Sequence, residues 1–384
     1  MSEEYSKKYL WYVIAVLTIA STFSIIDRQI LNVMIGPVKR DLGGISDFQV
    51  SLIMGFAFTF MYSVLSYPAG WLADRYSRRN LMAGGIAAWS LLTVFCGMAS
   101  QYVHLFLARM GVGVGEATLG PASNSALADY FSADKLPMAI GIVSAAPFVG
   151  QGLANMAGGP LIDYLESTPN YVLPLFGEVF SWQMVFIVVG APGLLVALAM
   201  LGVREPNRRG KISDSVGVPF SEVWEFVKRR KAFFVLIFAG YLGLATQGWS
   251  LFSWLVEYYV RNHGWTRTEI GLTYGSIALL VGIMGSVLGG IAATVLIQRK
   301  VEDATLRLVT YATIILLPAA TALTLVSDPW LGILLLIPVT FCMAIPPGLI
   351  MASLQAIAPN ELRGQMVAFY LIAVNFLAYT FAPS

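Results

Sequence analysis

Apolar runs of about twenty residues or more recur eleven times along this chain, at 10–38, 48–73, 80–100, 103–129, 136–160, 181–203, 232–260, 268–297, 305–327, 329–351 and 362–384. A helix rises about 1.5 Å per residue and the bilayer hydrocarbon is ~30 Å thick, so each run is long enough to cross a membrane. Charged residues make up 12% of the 384-residue chain, about half the fraction of a soluble domain. The pattern therefore predicts an all-α integral membrane protein. Lys7 and Lys8 followed by an apolar stretch have the look of a secretory leader. No small-residue cleavage pattern follows, and the run resumes past Asp27 and Arg28, so it is read as the first span.

The basic residues orient these spans. With the N-terminus placed in the cytoplasm, eighteen of the 24 lysines and arginines fall inside, four fall outside, and Arg28 and Arg109 lie within spans. That excess predicts a multi-pass protein of the inner (cell) membrane with a cytoplasmic N-terminus. The net charge of +2 implies no nucleic-acid partner, and the lone Cys96 and Cys342 suit neither zinc nor a disulfide framework. His104 and His263 sit at outer span ends and are expected to be solvated.

Residues 204–231 are polar and basic, and separate an N-terminal half, 1–203, from a C-terminal half, 232–384. Within this linker Phe220, Val223, Trp224 and Val227 recur at helical spacing, predicting an amphipathic helix on the membrane surface. "SADKLPMAIG" (132–141) before the fifth span is echoed by "PNELRGQMVA" (359–368) before the eleventh. Two six-helix halves related by pseudo-symmetry are therefore expected, with the twelfth helix absent from this sequence, as in a truncated chain.

"GWLADRYSRR", residues 70–79, is similar to the loop signature of the major facilitator superfamily, matched by Gly70, Asp74, Arg75, Arg78 and Arg79, with Ser77 in place of its second glycine. A small residue there is expected to let helices approach, and the charges to pair near helix ends. "GGIAATVLIQRKVED" in the second half keeps a glycine and a basic pair but lacks the Asp-Arg. "SIIDRQIL" in span one and "ARMGVGVGEATLGPASNSALADYF" in span four resemble the spinster branch, although organic-anion symporters of the superfamily share these elements. The resemblance implies the major facilitator fold and proton-coupled transport of lysolipids or sphingoid lipids by alternating access. An organic-anion or sugar-acid symporter and a multidrug efflux pump are the alternatives.

Charge inside a membrane is costly and marks function by default. Asp27 lies 17 residues past Leu10, about 25 Å along the first helix and in its outer half. Arg109 and Glu116 are seven residues apart on one face of the fourth. Glu116, the deeper carboxylate, is expected to carry the proton first and Asp27 second. Arg28 and Arg109 are expected to hold an anionic head group, because the guanidinium fork matches phosphate and carboxylate. A static pair between Asp27 and Arg109 is the purely structural reading. The glycines of "LARMGVGVGEATLG" are expected to thin one face so that helix one or a ligand comes close.

The second half has little mid-membrane charge, with Glu257 expected to meet water at an outer end. "TQGWSLFSWLVEYY" offers Gln247, Trp249 and Phe252 as a substrate surface for an acyl chain, with Gln247–Gly248 as a candidate helix break. An outer aromatic belt accounts equally well for Trp254, Tyr258 and Tyr259. Pro346–Pro347 predicts a kink in span ten. A charged half facing an apolar half suits an amphiphile. No phosphate-binding G-x-x-x-x-G-K-[ST] loop and no nucleophile elbow occur, so the chain is expected to be no enzyme, to use no ATP and no cofactor beyond a proton gradient, and to act as a monomer.

Overall fold

The computed structural model describes residues 5–131, 145–167, 171–173, 177–207 and 220–357, with isolated positions at 139, 142–143, 376–378 and 382. The echoed stretch 132–141 apart from residue 139, the stretch 359–368, and most of the expected eleventh span lie outside the described residues. Helices account for nearly all the rest: α1 Lys7–Gln29, α2 Ile35–Asp41, α3 Asp47–Ser51, α4 Phe58–Arg75, α5 Arg78–Cys96, α6 Tyr102–Glu116, α7 Leu119–Tyr130, α8 Ala146–Glu166 and α9 Ser181–Leu201 in the first part. They continue as α10 Phe220–Arg229, α11 Lys231–His263, α12 Arg267–Gln298, α13 Ala304–Leu325, α14 Pro329–Ala344 and α15 Pro346–Ile357. The exception is a hairpin between spans five and six, β1 Tyr171–Leu173 antiparallel to β2 Gly177–Val179, which the hydropathy pattern did not foresee. Tyr171 pairs with Val179 in it, and Gly177 takes a positive φ of 73° at the start of β2.

Among the described residues seven helical stretches are long and apolar enough to cross a membrane. The fourth expected span is helical too, but breaks at Ala117–Thr118 into helices of 15 and 12 residues. The first span ends its regular helix at Gln29 and continues as a 3-10 turn, Ile30–Val33, into α2. The second begins with a π-helical turn, Leu52–Ala57, before α4. Polar side chains start several helices: Ser6 accepts from the Tyr9 amide, Ser46 and Gln49 form a capping box, and Asp328 accepts from the Leu331 amide. Span ten does break at its proline pair, between Ala344 and Pro346. Span seven does not break at Gln247–Gly248, since α11 runs unbroken through both.

Two compact units result. One comprises Met1–Lys211 with Ser253–Leu272 and Pro383–Ser384, the other Ile212–Phe252 with Thr273–Ala382. The outer end of span seven and the start of span eight thus pack with the N-terminal helices. In the second unit Phe234, Ile350 and Leu354 form a buried cluster, and Phe226 and Val227 of α10 pack against it. The linker helix therefore turns part of its apolar face onto protein rather than lipid. Trp224 remains 45% exposed, with the Lys228 ammonium 5.5 Å above its ring. The side chains of Phe220 and Val223 are outside the described residues.

Candidate functional site

The first and fourth spans bring Asp27, Arg28, Arg109 and Glu116 into one buried cluster. Asp27 is 1% exposed, Glu116 2%, and Arg109 fully buried. The pairing differs from what spacing suggests. Glu116 is held by Arg28, whose Nη2 lies 2.6 Å from Oε2 and whose Nε donates to the same oxygen at 2.7 Å. Ser24, one helical turn before Arg28, donates its hydroxyl to Glu116 Oε2 at 2.5 Å and accepts from Arg28 Nη2 at 3.2 Å. The Arg28 guanidinium also lies 4.4 Å from the Phe58 ring and 5.0 Å from Tyr62.

Arg109 serves the backbone. Its Nη1 donates to the Asp27 carbonyl at 2.9 Å and its Nη2 to the Arg28 carbonyl at 3.4 Å. These carbonyls lie where the regular α-helix gives way to the 3-10 turn, and the acceptors freed at such an end need donors. Arg109 thus clamps the end of α1, and no bond joins its guanidinium to the Asp27 carboxylate. The Asp27 carboxylate instead accepts from the Thr93 hydroxyl of span three, 3.2 Å from Oδ2. Its Oδ1, like Glu116 Oε1, is buried and has no hydrogen-bond partner among the described residues.

The glycines of span four position this cluster by thinning the helix toward spans two and three, rather than toward helix one. A Cβ at Gly113 would lie 2.4 Å from the Phe58 carbonyl, and one at Gly115 2.8 Å from the Trp89 amide and 2.9 Å from the Gly85 carbonyl. Both contacts are with backbone, so neither can relax cheaply. Gly113→Leu should destabilise the protein by about 1–3 kcal/mol through overpacking. A lower melting temperature in detergent, with secondary structure retained, is the expected measurement.

The loop signature has its own network. Arg78 is buried and binds Asp129 at the end of span four, Glu205 Oε1 at 2.9 Å, and the Ser125 and Pro206 carbonyls. Ser77, standing at the family's second glycine, caps α5 and donates to Glu205 at 2.9 Å. The Arg79 amide donates to Glu205 at 2.9 Å, and Arg75 stacks over Trp71 at 3.9 Å. Gly70 is not a tight approach, since a Cβ there would meet only Pro121 at an ordinary 3.8 Å. The Asp74 side chain lies outside the described residues.

Glu257 does not meet water. It is 4% exposed and pairs with Arg261 at 2.7 Å, which also reaches Asp47 at 3.0 Å. Gly36 makes room for Arg267 beside Glu257, because a Cβ there would sit 2.7 Å from Arg267 Nη2 but at an ordinary 3.5 Å from Glu257 Oε1. In the second unit Trp249 and Phe252 meet edge to face at 5.7 Å, Phe252 lies 6.4 Å from Tyr274, and Gln247 is half-buried.

The model of the Major Facilitator Superfamily matches residues 17–383. The chain belongs to the major facilitator superfamily. This makes it a multi-pass membrane transporter and not an enzyme. It is 26% identical over 340 residues to an MFS-type efflux pump of Mycolicibacterium smegmatis, covering 87% of this chain and 74% of that protein. It is 30% identical over 303 residues to spinster homolog 1 of Rattus norvegicus, covering 74% of this chain. The match spans only about half, 54%, of that relative's length. A crystal structure of a bacterial homologue of the human lysosomal transporter spinster, inward-facing and unoccupied, superposes with a TM-score of 0.82 at 28% identity, over 99% of this chain and 82% of the other. The superfamily and the spinster resemblance read from the motifs thus hold, as does the all-α fold.

Charge spacing pointed to Asp27, Arg28, Arg109 and Glu116, but not to Ser24, Thr93, Phe58 or Tyr62. The available signals were the four-residue spacing of Ser24 from Arg28 and of Phe58 from Tyr62, each of which puts both members on one face.

Proposed function

We propose that the chain is a proton-coupled secondary transporter moving an amphiphilic, anionic or zwitterionic lipid-like molecule by alternating access, as a monomer in the inner membrane with its N-terminus cytoplasmic. The observation that carries this reading is the charge balance of the buried cluster. Two carboxylates face two guanidiniums, so one added proton leaves a net positive site that favours an anion. Glu116, with three donors on one oxygen, acts as the counter-ion of Arg28. Asp27, with a single hydroxyl donor, takes the proton. Arg28, whose side chain is 14% exposed, meets the head group, while Arg109 stays with the backbone. Within the second unit by itself, Trp249 and Phe252 meet edge to face at 5.7 Å, an apolar pair of the kind on which an acyl chain packs. The efflux-pump relative favours outward movement as the second reading of direction.

Proteoliposomes with an imposed pH gradient test this against a labelled lysolipid and a soluble sugar acid in parallel. Gradient-dependent movement of the lysolipid is expected, in the outward sense if the second reading of direction holds. Movement of the sugar acid alone would overturn the lipid assignment, and indifference of both to the gradient would overturn proton coupling. Arg28→Gln should raise KM for an anionic lysolipid by about tenfold or more, the scale of one lost charge-assisted bond.

A further inference from the structure

Thr93 sits in the middle of the contact between spans three and six. A Cβ at Gly190 of α9 would lie 2.9 Å from the Val94 amide, 3.0 Å from the Ser90 carbonyl and 3.0 Å from the Thr93 Cβ. About one turn on in the same helix, a Cβ at Gly193 would meet the Ser90 hydroxyl. The two backbones are therefore seated directly on each other, and Thr93 is wedged from behind. A β-branched side chain is already stiff about χ1, and with its Cβ against Gly190 Thr93 points its hydroxyl at Asp27 Oδ2, 3.2 Å away. Asp27 Oδ1 is left buried without a partner among the described residues.

We propose that Thr93, braced by the glycine seat at Gly190, is a positioning residue for Asp27, holding the carboxylate by one oxygen so that the other is free to take the transported proton. This rests on Asp27 being the proton carrier. The charged groups acting on Asp27 are Glu116 and Arg109 of the fourth span and Arg28 beside it. Among the described residues Cys96, one turn beyond Thr93, is a further titratable group that interacts with Asp27. Span six carries no charged residue between Ser181 and Leu201, so the bracing helix adds shape and no field. A hydroxyl donating to a carboxylate favours its ionised form. Its removal makes protonation easier and release harder.

The test is the pH profile of transport in proteoliposomes for the wild type, Thr93→Val, Thr93→Ser and Gly190→Ala, with Asp27→Asn as reference. Thr93→Val keeps the branched shape and should move the pH midpoint upward by about one unit, the scale of one hydrogen bond to a charged group. KM should stay within about twofold, because no contact to substrate is lost. Thr93→Ser restores the donor and should return the midpoint toward wild type. Gly190→Ala, which crowds Thr93 and the span-three backbone beside it but removes no hydrogen-bonding side chain, should move it in the same direction as Thr93→Val. Melting temperatures separate these shifts from misfolding, and Gly190→Ala supplies the reading if Thr93→Val fails to fold. An unmoved midpoint in Thr93→Val, with Asp27→Asn flat in pH, would overturn the role of Thr93 alone. A pH dependence that persists in Asp27→Asn would instead overturn the assignment of the proton to Asp27.

Discussion

Asp27→Asn is expected to abolish uphill transport while leaving exchange intact. A pH difference of one unit is worth about 1.4 kcal/mol per proton, so one coupled proton supports about tenfold accumulation. The asparagine keeps the size of the side chain and can still meet Thr93, but takes no proton. Accumulation under the gradient should therefore fall to the equilibrium ratio of one. Counterflow of labelled against unlabelled substrate, which needs no net proton movement, should continue. Glu116→Gln makes the contrast. It leaves the buried Arg28 guanidinium without its carboxylate, so thermal stability should fall while the pH dependence survives. If Glu116→Gln instead flattens the pH profile and Asp27→Asn does not, the two roles are reversed.

Arg78→Gln should be the most destabilising of the charge substitutions. It takes the guanidinium away from Asp129 and Glu205 and removes donors from the Ser125 and Pro206 carbonyls. Breaking a buried ion pair by removing one partner costs about 3–5 kcal/mol. A large drop in melting temperature and in folded yield is the expected result, and a drop no larger than that of a surface arginine would refute it. The network is also acid-sensitive. Burial alone would raise the Glu205 carboxyl, but the Arg79 amide, Arg78 and Ser77 outweigh it and hold it below the usual carboxylate range. A depressed folded-state value means that Glu205 contributes its full stabilisation above the ordinary glutamate value of about 4.3. That contribution is lost as pH falls through the lower, folded-state value. Glu205→Gln should be less stable at neutral pH and should lose less on acidification.

Much of the candidate site was legible because charge in a span is rare and costly. Asp27, Arg28, Arg109 and Glu116 stand out from any apolar background. Their partners did not, because pairing depends on which faces of two helices meet. Seven-residue spacing put Arg109 and Glu116 on one face, yet one reaches backbone carbonyls and the other the Arg28–Ser24 turn. Hydroxyls such as Ser24 and Thr93 were invisible for a different reason. Serine and threonine are common in membrane helices and cost little there, so their presence alone singles out none. Glu257 was misread because its position along the helix looked solvent-facing, while in the fold it is buried and paired with Arg261, which also reaches Asp47 on a distant segment.

The sequence by itself determined the medium, the number and order of most helices, the family and the buried charges. Hydropathy, helix length and the cost of charge in hydrocarbon are local properties that each segment carries alone. The break in span four, the unbroken span seven, the backbone role of Arg109 and the hold of Thr93 on Asp27 were decided only by the tertiary structure. These depend on how one segment meets another, and the register of such a meeting is set by packing across the whole helix rather than by either sequence.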